Sequence, residues 1–275
     1  MLAVALNAQL DVVGEQRRPT PADPDALIEA IADAINALGV TVDSLGIGIA
    51  GLVTPGGVVR ASPHLARPAE LDLVGCLGDR FGLAVRVDND ANAATWGEAQ
   101  LGAGRGVRDM VMVTLGTGIG GGIVCNGALV RGAHGFAGEP GHMTVEFDGP
   151  PHVTGLHGSW ELYASGTALR HSGDGVVDVA SLATVAGRTQ LDSYARAVAV
   201  GVGNLIAILD PEMVVLGGGV VSVGEPLRVG VMRHLDEWVY GASERTSLRV
   251  VLAQLGERAG AIGAALLGAV PVNAA

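Results

Sequence analysis

Val113-Thr114-Leu115-Gly116-Thr117-Gly118-Ile119-Gly120-Gly121-Gly122-Ile123-Val124, residues 113–124, is the stretch whose interpretation decides the fold. Gly116, Gly118 and Gly121 satisfy G-x-G-x-x-G behind an apolar strand at residues 110–114. A dinucleotide-binding turn of that spelling opens a helix. Here the chain instead runs through Ile123-Val124-Cys125 to Asn126-Gly127, a strong two-residue hairpin signal. The spacing therefore predicts a strand, a glycine turn over 116–122, and a hairpin whose second strand is residues 128–131. Consecutive N–H groups in such a turn can cradle phosphate oxygens without a cationic side chain. The Thr114 and Thr117 hydroxyls stand ready to add donors.

Composition reinforces that point. All 17 basic residues are Arg, and the 275-residue chain has no Lys. This excludes a P-loop lysine, a Schiff-base lysine and pyridoxal phosphate chemistry together. The net charge is −11 and the basic residues form no run longer than Arg17-Arg18, so nucleic acid is not an expected partner. Cys76 and Cys125 lie far apart and neither belongs to a C-x-x-C, a pattern of reducing compartments. The start, Met-Leu-Ala-Val-Ala-Leu, lacks the basic region of a signal peptide. The uncharged stretch at 110–130 contains six glycines and reads as strand–turn–strand rather than a membrane span. A cytoplasmic protein without a membrane partner is expected.

Outside the glycine turn, the pattern predicts two α/β units. Strands at 2–6 and 12–16 form a hairpin across Asn7-Ala8-Gln9. Asp23 caps a helix with Pro24 in its first turn, and Gly39 stops it. A strand at 45–50 meets a turn opened by Gly51. A helix at 70–81 ends at Gly82. A strand at 84–87 runs into Asp88-Asn89-Asp90, and a helix follows at 91–100. Residues 101–108 are a glycine-rich boundary. Beyond the hairpin, residues 132–160 are loop-like. A long helix at 191–209, a strand at 213–216, a helix at 226–240, a strand at 248–253 and a last helix at 259–267 complete the chain.

Two polar clusters invite chemistry. Asp88-Asn89-Asp90-Ala91-Asn92 sits where a strand ends and a helix starts. Helix capping accounts for one such residue, not for four. Asp90 can take a proton from a substrate hydroxyl while Asn89 hydrogen-bonds that substrate. The second cluster, Glu139, His142 and Glu161, lies in one loop system and suits the hydroxyls of a polyol. His142, His152 and His157 raise the question of zinc, but their spacing matches no common His-only site.

Taken together these segments resemble the ROK family (repressors, open reading frames and sugar kinases) of the actin-like ATPase, or ribonuclease H-like, fold. The similarity lies in 113–142 with its closing Ala-Gly-Glu-Pro-Gly-His, in Asn89-Asp90-Ala91-Asn92-Ala93-Ala94 with Gly97-Glu98, and in Ile49-Ala50-Gly51-Leu52-Val53. It continues in Asp210-Pro211-Glu212 through Gly217-Gly218-Gly219, and in Ala259-Gly260-Ala261-Ile262-Gly263. The resemblance implies two α/β domains flanking a cleft: residues 1–100, residues 101–257, and a C-terminal helix at 258–275 packing back on the first. It implies ATP- and Mg²⁺-dependent phosphorylation of a hexose, most often glucose, and a homodimer or higher homo-oligomer. Asp90 matches the general base. Asn89, Glu139, His142, Glu161 and Gly51 match sugar-binding positions. Gly116, Thr117 and Gly118 match a phosphate loop, and Gly217, Gly218 and Gly219 the adenosine site.

Two departures stand out. Family members carry three zinc-binding Cys after the Gly-His, and the positions in register here hold His152, Thr154 and Ser159, so no structural zinc is expected. Packing of Trp160 and hydrogen bonds are expected to hold that loop instead. The family also opens with a strand and an Asp-x-Gly-Gly-Thr-Lys loop, whereas residues 1–6 look like the strand that follows it. An upstream start is the favoured expectation; the other is loss of kinase activity, leaving a sugar-binding relative or the relic of a sugar-responsive repressor.

Overall fold

Alternating residues near the start build the expected hairpin. Leu2–Leu6 (β1) and Val12–Arg17 (β2) pair antiparallel, with Leu2 opposite Arg17. Asn7 closes the turn, its Oδ1 accepting the N–H groups of Gln9 and Asp11 at 3.0 and 2.9 Å. This computed structural model describes residues 1–66, 71–171, 182 and 187–269. They fall into two compact units. Unit 1 is Met1–Leu101, Leu129–Ala137 and Glu257–Ala275; unit 2 is Gly102–Ala128 and Gly138–Gly256. The break at residue 101 coincides with the glycine-rich segment. The membership of Leu129–Ala137 in unit 1 has no signal in its composition.

Unit 1 continues with Pro24–Ala37 (α1), capped by the Asp23 carboxylate on the Ala26 N–H at 3.0 Å. Ser44–Ile49 (β3) follows, then the short strands Leu52–Val53 (β4), Val58–Ala61 (β5) and Leu71–Asp72 (β6). The last three make one antiparallel sheet. Leu73–Phe81 (α2) starts later than residue 70 because Leu71 pairs with Val59 and Asp72 caps the helix through the Gly75 N–H. Glu70 lies outside the described residues. Gly82 ends the helix at φ 64°, a left-handed position that favours glycine. Ala84–Asn89 (β7) pairs parallel with β3, Ile49 opposite Asn89, and Asp90–Leu101 (α3) begins on the next residue. Leu27, Leu45, Val59, Leu73, Leu77 and Val87 are among the core side chains of this unit.

Unit 2 is built on five strands. Met110–Leu115 (β8), Ile119–Cys125 (β9) and Ala128–Leu129 (β10) form a meander. The glycine turn is only residues 116–118, because Gly120, Gly121 and Gly122 lie in β9 opposite Thr114, Val113 and Met112. Close approach explains Gly121, where a Cβ would come within 2.7 Å of Pro140 Cγ and 2.8 Å of the Met112 carbonyl oxygen. Asn126 and Gly127 both take positive φ, 53° and 80°, as a tight hairpin demands.

Glu161–Ala164 (α4), Gly166–Arg170 (α5) and Arg188–Leu209 (α6) follow, then Met213–Gly217 (β11), Glu225–Leu235 (α7) and Arg249–Leu252 (β12). The sheet order is β10-β9-β8-β11-β12, with β8, β11 and β12 parallel. α7 stops at Leu235, short of the expected residue 240, and the chain turns there to bury Val239. α6 has the length and composition of a bilayer-spanning helix. Its Leu191, Tyr194, Val198, Val202 and Ile206 fill the core of unit 2 together with Trp160, Val214 and Leu216.

Ala259–Ala269 (α8) returns to unit 1 and packs on α3 and β3. The contact is between backbones. A Cβ on Gly263 would run into the Ala93 carbonyl, and one on Gly46 into the Ala264 carbonyl. Only glycine permits that approach.

Candidate functional site

In unit 1 the polar cluster is organised around the junction of β7 and α3. Asn89 is the helix cap. Its Oδ1 accepts the N–H groups of Ala91 and Asn92 at 2.8 and 3.0 Å, and its Nδ2 donates to the Gly51 carbonyl at 3.1 Å. Gly51 sits at φ 133°, and a Cβ there would strike the Ala61 carbonyl, so glycine is required where Asn89 needs its acceptor. Asn89, Gly51 and Asp90 are thus brought together, as the sequence suggested.

Asp88 is the hidden support. It is 8% exposed, and its Oδ1 accepts the Asn89 N–H and the Asn92 Nδ2 at 2.8 and 3.0 Å. Its other oxygen accepts from Arg131 Nε at 2.7 Å. Neither Asp88 nor Arg131 was assigned a role from sequence; an Arg just past a hairpin, in a chain with few cations, was the available signal.

With capping done by Asn89, Asp90 is left with one local bond, Oδ1 to the Ala91 N–H at 2.9 Å. The residue is open to solvent, yet protein crowds it on most sides. That crowding raises its carboxyl above the usual carboxylate range, while the Ala91 and Asp90 N–H groups and the charge of His64 pull the other way. A reachable carboxylate of raised basicity suits proton abstraction from a hydroxyl. His64 is a neighbour that sequence reasoning did not single out.

In unit 2 the turn and the loop residues converge on Gly118 and Ile119. Glu161 Oε2 accepts the Ile119 N–H at 2.7 Å, and a Cβ on Gly118 would run into that carboxylate. Glu161 Oε1 meets His152 Nε2 at 3.0 Å. Glu139 precedes and His142 ends a single 3-10 turn, Pro140–His142, with His142 Nε2 4.0 Å from Glu139 Oε2. The His142 and His152 rings lie edge to face at 5.7 Å between centroids. Glu139, His142 and Glu161 therefore form one cluster with the glycine turn, and His152 joins them. The loop is anchored by Trp160, fully buried, whose Nε1 donates to the Ala197 carbonyl at 2.8 Å.

The turn at 116–118 is braced from outside. The Gly116 N–H bonds the Gly118 carbonyl at 3.0 Å, the Gly166 N–H bonds the Gly116 carbonyl at 2.7 Å, and Thr167 Oγ1 donates to the Thr117 carbonyl at 2.6 Å. Among the described residues the Thr117 and Gly118 N–H groups have no protein acceptor. These two donors are the ones the turn can offer to phosphate oxygens. Gly217, Gly218 and Gly219 end β11 beside the end of β8, Gly217 opposite Thr114. Gly218, at φ 84°, passes so close that a Cβ would lie 2.5 Å from the Leu115 carbonyl oxygen. The two glycine segments thus share one edge of the parallel β8–β11 pair, the side where α/β sheets bind ligands.

Among the described residues no three His, Cys, Asp or Glu side chains gather as a metal-binding group. The zinc of the family does not fit the residues present. Thr154 and Ser159 offer hydroxyls rather than thiolates, and both ring nitrogens of His152 are engaged, Nε2 with Glu161 and Nδ1 with Thr154.

Comparison with known proteins agrees with this layout. The family model described as "ROK family" matches residues 1–269. The glucokinase of Streptomyces coelicolor is 35% identical over 291 aligned residues, covering 95% of this chain and 92% of that protein. The N-acetylmannosamine kinase of Citrobacter koseri is 34% identical, covering 97% and 94%. The crystal structure of a ROK family glucokinase from Streptomyces griseus, in complex with glucose and AMPPNP, superposes with a TM-score of 0.85 at 33% identity, over 96% of this chain and 94% of that one. The fold is that of the actin-like ATPases. Matched along nearly its whole length in motif order, sequence and backbone, the chain belongs to the ROK family.

Proposed function

We propose that the protein is an ATP-dependent hexose kinase that phosphorylates glucose to glucose 6-phosphate. The observation that carries this is Asp90: a solvent-reachable carboxylate on the first residue of α3, just past β7, freed from capping duty by Asn89. In the reaction the sugar hydroxyl oxygen attacks the γ-phosphorus of ATP, its proton passes to Asp90, and ADP leaves. Glu139, His142 and Glu161 bind sugar hydroxyls, and Asn89 with Gly51 adds a further polar edge. The free N–H groups of Thr117 and Gly118 hold phosphate oxygens, and the segment of Gly217, Gly218 and Gly219 at the same sheet edge takes the adenosine, with open space beside Gly219. Mg²⁺ carried with the nucleotide would neutralise charge on the phosphates. Glucose is favoured over N-acetylmannosamine by the likeness to the two Streptomyces glucokinases at 35% identity and to the Streptomyces griseus glucokinase at a TM-score of 0.85.

The test is coupled ADP release from the purified chain with ATP, Mg²⁺ and a panel of hexoses including glucose, mannose and N-acetylmannosamine. Glucose-dependent ADP release is expected. Sugar binding without ADP release from any hexose would sink the kinase assignment, and release only with another hexose would correct the substrate. Light scattering on the same sample tests the homo-oligomer that we propose alongside it.

A further inference from the structure

We propose that His152 is a positioning residue of the sugar site, fixing the Glu161 carboxylate by a direct hydrogen bond in place of a metal-held loop. This rests on Glu161 being a sugar-binding residue. The Glu161 carboxylate is held at both oxygens, Oε2 by the Ile119 N–H at 2.7 Å and Oε1 by His152 Nε2 at 3.0 Å. The Thr154 N–H reaches His152 Nδ1 at 3.3 Å, with Thr154 Oγ1 at 2.7 Å from the same atom. Nδ1 is therefore the acceptor, the ring proton sits on Nε2, and His152 donates to Glu161. The imidazole is 7% exposed, so this bond competes little with water.

The arrangement makes a chain of contacts from loop to turn. Thr154 fixes the imidazole, the imidazole fixes Glu161, and Glu161 lies against Gly118, where no side chain fits. Each Glu161 oxygen keeps a lone pair for a sugar hydroxyl, and the carboxylate is ordered before the sugar arrives. His152 acts through Glu161, so its effect belongs in sugar affinity rather than in the chemical step. The loose ends of the loop, Ser159 Oγ and His142 Nδ1, are buried without a hydrogen-bond partner among the described residues, and they do not complete a zinc site.

The experiment compares wild type, His152→Ala, His152→Gln and Glu161→Gln by calorimetric titration with glucose, with ADP-release kinetics, melting temperature and metal content measured on the same samples. His152→Ala is expected to weaken sugar binding about tenfold with kcat within about threefold, as loss of a hydrogen bond to a charged group implies. His152→Gln, which keeps an N–H donor, is expected to recover most of the affinity. Zinc is expected to be substoichiometric and the melting temperature insensitive to chelator. If Glu161→Gln weakens binding and His152→Ala does not, the inference about His152 fails and the sugar site stands. If Glu161→Gln leaves binding unchanged, the sugar site itself fails. Equal losses in Ala and Gln variants that track a lowered melting temperature, or stoichiometric zinc whose removal lowers it, also overturn the proposal.

Discussion

Replacing Arg131 with Met breaks the one ion pair that reaches Asp88 from the returning segment, and the cost follows from burial. The Asp88 side chain is 11% exposed and the Arg131 side chain 34%, with Nε 2.7 Å from Oδ2. Stripping a partner from a fully buried pair costs about 3–5 kcal/mol, because the remaining charge is stranded. Partial exposure of the guanidinium reduces this to about 2 kcal/mol. For a unit of about 130 residues, that corresponds to a fall in melting temperature of about 8 °C. The measurement is a thermal melt of Arg131→Met, Asp88→Asn and the double variant. In the Asp88→Asn background the Arg131 change is expected to cost no more than about 0.5 kcal/mol, since no stranded charge remains. An Arg131→Met melt within 1 °C of wild type, or the same loss in both backgrounds, would refute the assignment of the pair as the support of the β7–α3 junction.

Asp90→Asn removes the base and keeps the shape, so kcat should fall by about 10²–10⁴ with sugar affinity nearly intact; near-wild-type turnover would remove Asp90 from its role. Gly118→Ala pushes a methyl into the Glu161 carboxylate and should raise the sugar KM well above wild type, read by steady-state kinetics, while the core melts normally. His234 is raised above its ordinary value by its hydrogen bond to Glu237, then by Asp192, with Arg233 and Arg196 as the nearby cations. A raised histidine stabilises the fold below its unfolded value of about 6.5, and that contribution is lost as pH rises through the folded value. Urea melts across pH 6 to 9 should show this decline in wild type and a flatter profile in His234→Gln.

Much of the site was legible because its signals are local. Asp23-Pro24 and Asn126-Gly127 work through neighbours in sequence, and both behave as their chemistry dictates. The glycines of β9 misled for a physical reason. A glycine in a strand that lets Pro140 approach has the same letter as a glycine in a turn. The late start of α2 was hidden because the competing partner of Leu71 is Val59, on another strand. Arg131 was invisible because its carboxylate lies 43 residues away, and no local pattern carries that distance. The cluster of Glu139, His142 and Glu161 was legible as chemistry, whereas the bond from His152 to Glu161 depends on a loop geometry that residue types do not specify.

The glycine-lined meeting of α3 and α8 has a consequence for Asp90, the first residue of α3. Gly97, Gly263, Ala93 and Ala264 have no side-chain rotamers to freeze, so their part of this contact, beside Leu267 and Trp96, forms without the side-chain entropy loss of ordinary packing. At those four positions it also has no rotamers through which to yield. Backbone atoms meet as hard walls, and the helix is seated like a shaft in a close-fitting bearing. A carboxylate mounted at the end of such a shaft keeps its direction when side chains elsewhere rearrange, and any methyl added to the bearing is transmitted directly to Asp90, the proposed base.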